Sequence, residues 1–267
     1  MSWGAENLGV TFGRNNALAG VTLDLPEGQV TAVVGGDGAG KSTLLRVLAG
    51  LLLPTRGTVR LPPRDRVGYL PARAGGFRDL TVAENLEFVS SACRLGDSGA
   101  RTTELLKRTG LAPFRDRLAR NLSGGMRQKL GIVMSVLPEP ALLILDEPTT
   151  GIDPVSRSDL WRLIALAAAG GAAVAMSSAY LDEAERASWV LVLHEGQPLL
   201  AGPPHRVVAA LPGSVVEVDV PGDPRRAWRR GSRWREWRPA GDPAAVTAGL
   251  EDVVIVAALA AAEGGEP

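Results

Sequence analysis

The stretch that most constrains this chain is Gly35 to Ser42, GGDGAGKS, which follows the apolar run VTAVV and opens the periodic segment KSTLLRVLAGL. A buried strand running into a glycine loop and then a helix is the context in which G-x-x-x-x-G-K-[ST] gathers backbone N–H groups around phosphate oxygens. The helix adds the positive end of its dipole at the same point. Gly35, Gly36, Asp37, Gly38, Ala39 and Gly40 are expected to cradle phosphate through the backbone, with Lys41 reaching the outer phosphates. Ser42 offers a hydroxyl to Mg²⁺, and Thr43 lies in the same first helical turn. A strand apolar on both faces also needs helices on both sides, which implies a mostly parallel sheet.

The segment LLILDEP, Leu142 to Pro148, supplies the matching half. Four apolar residues read as a buried strand, Asp146 at its end can hold the metal through water, and Glu147 can polarise an attacking water. Together the two motifs point to an α/β P-loop NTPase (RecA-like) core. Strand, loop and helix alternate from about residue 28 to 200, interrupted by a helical subdomain at about 77–138. Within it, Thr81 and Glu84 have the spacing of a capping box. Short strands before the loop form an N-terminal antiparallel β subdomain. The composition changes near residue 214, so the chain divides into 1–212, a nucleotide-binding domain, and 213–267, a small C-terminal α+β appendage ending in an Ala-rich helix.

Lys plus Arg and Asp plus Glu number 29 each, leaving no global basic field for nucleic acid. Cys93 is the single cysteine, so there is no disulfide framework. The longest apolar run, Val253 to Ala262, is shorter than the ~20 residues that span a bilayer. The opening MSWGAENLGV lacks a basic region followed by an apolar run. The chain is therefore expected to reach a membrane only through a partner.

One further segment narrows the reading. NLSGGMRQKL, Asn121 to Leu130, resembles the LSGGQ signature of ATP-binding cassette (ABC) proteins, with Met126 where Gln is usual, and LLILDEPTTGID follows it. The resemblance runs from about Phe12 to His205 and implies that MgATP is the ligand. It also implies that Phe12 stacks on adenine, a strand core residue being the alternative reading. Asp153 matches the acid of the family's D-loop, and VGYLP matches the segment entering its Q-loop. LTVAENL, GIDPVSR, YLDEAER and LEDV resemble the drug-exporter branch, which works with ABC-2 type membrane permeases. By resemblance, two such subunits dimerise head to tail, each nucleotide lying between one chain's phosphate loop and the other's signature, here Ser123, Gly124 and Gly125. That arrangement implies a cytoplasmic protein, peripheral on the inner face of the cell membrane through the permease. A soluble ABC-type ATPase acting on the ribosome or nucleic acid is the alternative, and a non-catalytic nucleotide sensor a third reading.

Three departures stand out. Ala72 in YLPARAGG occupies the position of the family's Q-loop Gln, and Ala179 in SSAYLDEAE that of its His. Gly36-Asp37 replaces a common Pro-Asn, which should leave phosphate binding intact. Alanine has no side-chain donor or acceptor, so the expectation is ATP bound but hydrolysed slowly, and a subunit paired with a competent partner ATPase, in a heterodimer rather than a homodimer. SSAYLDEAE itself reads as a strand end opening an amphipathic helix. His194 and His205 read as surface or turn residues. The stretch RRAWRRGSRWREWRP, Arg225 to Pro239, could bind nucleic acid or anionic lipid, but reads better as a small sheet whose Arg stems cover packed Trp rings.

Overall fold

The computed structural model describes residues 2–72 and 76–264, so part of the segment PARAGGFRD lies outside the described residues. The chain opens with β1 (Ser2–Phe12) and β2 (Asn15–Pro26), paired antiparallel from Ser2↔Pro26 to Phe12↔Asn15. In β2 the alternation of VTLDL turns Val21, Leu23 and Leu25 inward and Thr22 and Asp24 outward. β3 (Val30–Val34) then leads through the glycine loop into α1 (Lys41–Leu48), and β4 (Arg56–Arg60) returns to the free edge of β1.

After β5 (Val67–Leu70) comes the helical insertion: α2 (Val82–Ala92), α3 (Gly99–Arg108) and α4 (Gly124–Val136). The capping box forms as expected, with Glu84 N–H donating to Thr81 Oγ1 (3.1 Å) and Thr81 N–H donating to Glu84 Oε2 (2.7 Å). The Thr81 N–H, and then its hydroxyl donating to the same oxygen (2.8 Å), favour the ionised carboxylate and hold the Glu84 pKa below its ordinary value. Arg101 of α3 donates to the carbonyls of Val136 (2.9 Å) and Leu137 (3.0 Å), satisfying the C-terminal end of α4 and tying the two helices together.

The chain continues through β6 (Leu142–Leu145), α5 (Pro154–Ala169), β7 (Ala173–Ser177), α6 (Leu181–Ala184), β8 (Trp189–His194), β9 (Gln197–Gly202) and α7 (Pro204–Ala209). The main sheet has the order β5-β6-β7-β3-β8-β9, parallel except for β9, which closes an antiparallel hairpin on β8. Alternate strand residues serve two cores. Ala32, Val34, Leu143, Val174 and Val192 face the helical insertion and α5, while Val33, Ile144, Ala175 and Leu191 face α1 and the β1–β2 sheet. Burial on both faces is why these strands read as continuous apolar runs. Strands β3, β6 and β7 end side by side, which brings the glycine loop, the Asp146-Glu147 pair and Ser177-Ser178 to one edge.

One expectation fails. The amphipathic helix after SSAY is a single turn, Leu181–Ala184. Glu183 and Ala184 turn inward to full burial, and Ser188 N–H already bonds Val30 O (2.8 Å), so the chain enters β8 before a longer helix can form.

Beyond α7, β10 (Ser214–Val218), β11 (Ala227–Arg230) and β12 (Arg233–Arg238) make an antiparallel sheet in the order β10-β12-β11, covered by α8 (Leu250–Gly264). Trp237 is buried with Val215 and Val256, and its Nε1–H donates to Pro212 O (2.7 Å). The arginines find carboxylates: Arg226 with Glu263 (2.6 Å), Arg233 with Asp219 (3.1 Å), and Arg235 with the buried Asp252. Arg226 and Arg229 also lie over the rings of Trp237 and Trp234, at 5.4 and 5.3 Å. α8 is not confined to this sheet, because Leu250 and Val253 belong to the main core.

Candidate nucleotide site

The loop between β3 and α1 depends on two glycines for close approach. A Cβ on Gly35 (φ 150°) would stand 2.2 Å from Leu193 O, and one on Gly40 (φ 99°) 2.6 Å from Ala17 O. Gly40 caps α1 without a side-chain hydrogen bond, and the first turn carries no acidic residue. The amides of Lys41, Ser42 and Thr43 therefore open the helix where no intrahelical acceptor exists for them. Lys41 is only 6% exposed, and its Nζ donates to the carbonyls of Gly35 (2.8 Å) and Gly36 (3.0 Å), which fixes the ammonium against the loop. Uncapped amides, an uncompensated helix dipole and a buried ammonium together suit a polyphosphate.

Next to the loop, Asp146 is 2% exposed. Its Oδ1 accepts from Ser42 Oγ (3.1 Å) and from Ser177 Oγ (2.7 Å), while Ser177 Oγ in turn accepts from Glu147 N–H (2.9 Å). Groups from α1, β6 and β7 thus converge on one carboxylate. A hydroxyl and a carboxylate held together are hard oxygen donors of the kind Mg²⁺ takes alongside phosphate oxygens, so the residues fit the metal that the family implies. Glu147 sits in left-handed backbone (φ 49°), and its Oε2 accepts from Thr150 Oγ1 (3.2 Å). Tyr69, at the end of β5, has its pKa pushed up by burial and then by the charge of Asp146, partly offset by a hydrogen bond with Arg46.

A cleft of about 720 Å³ takes in the loop from Asp37 to Thr43 together with Phe12 and Glu147. Phe12 is 51% exposed, so it belongs to the cleft wall rather than to the strand core. Asn15, Asn16, Ala17 and Glu195 also line the cleft, and sequence reasoning missed them. Of these, Glu195 alone sits beside a turn signal, Gly196, which by itself marks a turn and no ligand. Ser123, Gly124 and Gly125 lie elsewhere. Ser123 caps α4, its Oγ accepting from Met126 N–H (3.2 Å), and the turn is open to solvent with no part in the cleft. Ala72 and Ala179 are exposed. His194 and His205 are exposed at the end of β8 and in α7, and neither lines the cleft, so no imidazole stands in for position 179 there.

Behind Ala179 lies a polar cluster built on Glu183, which is 0% exposed. Its Oε2 accepts from Ser178 Oγ (2.6 Å) and Thr149 Oγ1 (2.7 Å). Arg157 Nε stands 3.6 Å from the other oxygen, with its guanidinium 4.2 Å from the centre of the Tyr180 ring. This carboxylate locks the segment after Glu147 to the segment around Ala179.

A phosphate loop at the end of a central parallel strand, with an acidic pair two strands away across β7, defines the class of P-loop nucleotide-binding proteins. The ABC transporter family model matches residues 18–150, and the chain belongs to that family. It is 40% identical over 209 residues to the probable multidrug ABC transporter ATP-binding protein YbhF of Escherichia coli (strain K12), covering 74% of this chain and 36% of that protein. The chain thus spans about a third of that relative's length. It is 35% identical over 220 residues to the daunorubicin resistance ATP-binding protein DrrA3 of Streptomyces coeruleorubidus, covering 78% of this chain and 70% of that protein. Among solved structures, an ATP-binding subunit of an ABC transporter superposes with a TM-score of 0.73 at 28% identity, covering 78% of this chain and 92% of that one. No helix among the described residues is long and apolar enough to cross a membrane.

Proposed function

We propose that the chain is the ATP-binding part of an ABC exporter, holding MgATP on the Gly35–Thr43 loop and driving a separate ABC-2 type permease. The observation that carries this reading is the buried Lys41 beside the uncapped start of α1, next to the paired Ser42 and Asp146. Lys41 and the loop amides hold the phosphates, and Ser42 and Asp146 would hold magnesium, which when bound neutralises phosphate charge. Phe12 stacks on the base, and Glu147 orients the attacking water. The exposed start of α4 at Ser123–Gly125 completes a site on a second ATPase subunit, head to tail.

Hydrolysis at the chain's own site is slow because Ala72 and Ala179 place methyl groups where polar contacts to water and developing charge are needed. We therefore infer a heterodimer with a competent ATPase, cytoplasmic and attached to the membrane through the permease. Division into 1–212 and 213–267 is part of this reading. Action on nucleic acid is disfavoured, because Arg226, Arg233 and Arg235 of the C-terminal subdomain are engaged by carboxylates within the chain.

The test is an ATPase assay of the chain alone and with its partner ATPase, with Glu147→Gln and the partner's equivalent change in turn. Turnover abolished only by the partner's change supports the asymmetric reading. Turnover of ~1–10 s⁻¹ by the chain alone overturns it.

A further inference from the structure

Between Phe12 and the phosphate loop, the cleft wall is made by two turns far apart in sequence. Phe12 pairs with Asn15 and Thr11 with Asn16 across the β1–β2 hairpin, and Ala17 follows. The β8–β9 turn, Glu195-Gly196, seats on this segment. Ala19 N–H donates to Gly196 O (2.8 Å), and Gly196 N–H donates to Ala39 O (3.2 Å). A Cβ on Gly196 would stand 2.7 Å from Ala17 O, the same atom that a Cβ on Gly40 would approach to 2.6 Å. Ala17, Gly196 and Gly40 therefore meet at one point of the wall, where the segment that follows Phe12, the Glu195 turn and the phosphate loop come together. Glu195 lines the cleft and is exposed, so its carboxylate can reach a ligand there. Its backbone is left-handed (φ 47°), a conformation that costs a residue with a Cβ and persists because both neighbouring segments clamp the turn.

In a nucleoside triphosphate the ribose stands between base and phosphates. If, as proposed above, the base is on Phe12 and the phosphates are on the loop, the ribose falls beside Glu195. A carboxylate only accepts hydrogen bonds, and the two ribose hydroxyls are donors. An acidic residue reads ribose hydroxyls in the same way in dinucleotide sites. A carboxylate close to a triphosphate also repels it. A ribonucleotide offsets that repulsion with its hydroxyls, and a deoxynucleotide does so less well, so the group acts through discrimination.

We propose that Glu195 is a specificity-determining residue that accepts hydrogen bonds from the ribose hydroxyls of the bound nucleotide. Calorimetric titration of the full chain with ATP, 2′-deoxy-ATP and 3′-deoxy-ATP in Mg²⁺ tests it. The wild-type chain is expected to bind ATP about fivefold to tenfold more tightly than the deoxy forms, the scale of one charge-assisted hydrogen bond at a partly solvated site. Glu195→Ala should bind all three alike. Glu195→Asn, whose side chain tolerates left-handed backbone, is the second variant should the alanine protein not fold, and it should bring the preference below twofold. A wild-type chain that binds all three equally overturns the proposal. So does a variant that keeps the preference while tightening all three, because Glu195 would then act by charge alone. Binding of none of the three overturns the nucleotide reading itself, a result distinct from binding without discrimination.

Discussion

At the phosphate-loop end of the cleft, Lys41 is buried and held by two carbonyls, and Asp146 is buried and accepts from two hydroxyls. The hydrolytic end of the proposed site differs: Glu147 is the polar side chain expected to act on water, its carboxylate held by Thr150, while Ala72 and Ala179 are exposed methyl groups that do not line the cleft. The backbone framework of this second end is nonetheless intact. Ser177 and Ser178 are buried and bonded, and Glu183 still ties the segment around position 179 to the one that follows Glu147. On the function proposed above, holding a nucleotide and cleaving it draw on separable sets of side chains. Interactions made only in the transition state can be lost while ground-state binding survives.

The largest expected effect tests whether the second end is still a built structure. Glu183→Ala removes the shared acceptor of Ser178 and Thr149 and leaves Arg157 without its buried partner. It should cost about 3–4 kcal/mol of stability in denaturant unfolding, and a loss below about 1 kcal/mol would mean that the cluster is incidental. Lys41→Ala addresses the first end. ATP affinity measured by calorimetry should fall about fiftyfold, and a change under threefold would move the phosphates away from the loop. Restoring the missing groups with Ala72→Gln and Ala179→His together should raise single-chain turnover about tenfold, whereas unchanged turnover would place the block elsewhere. The smallest effect is Glu147→Gln in the complex with a competent partner, where total turnover should change less than about twofold.

Much of this was legible in local sequence. Gly35–Ser42, the run LLILDEP and the Thr81/Glu84 cap each carry their structural instruction within a few residues, and each formed where expected. What escaped depends on contacts between distant segments. The buried role of Glu183 is one such case, because nothing nearby in sequence announces that Thr149 and Arg157 surround it. The place of the Glu195 turn beside the phosphate loop is set by Ala17, Ala19 and Ala39, residues without functional chemistry of their own. Phe12 could be placed on a strand but not on the cleft side of it until β1 and β2 were paired.

The helix α8 has a further consequence, for the order in which the chain can become native. Leu250 and Val253 fill a core that also holds Val30, Leu160 and Val207. During synthesis that core stays incomplete until residues 250–253 have left the ribosome, however early the phosphate loop and its strands are formed. An intermediate with its other elements in place would still expose apolar surface on α6, α7 and β9, the kind of surface that recruits chaperones.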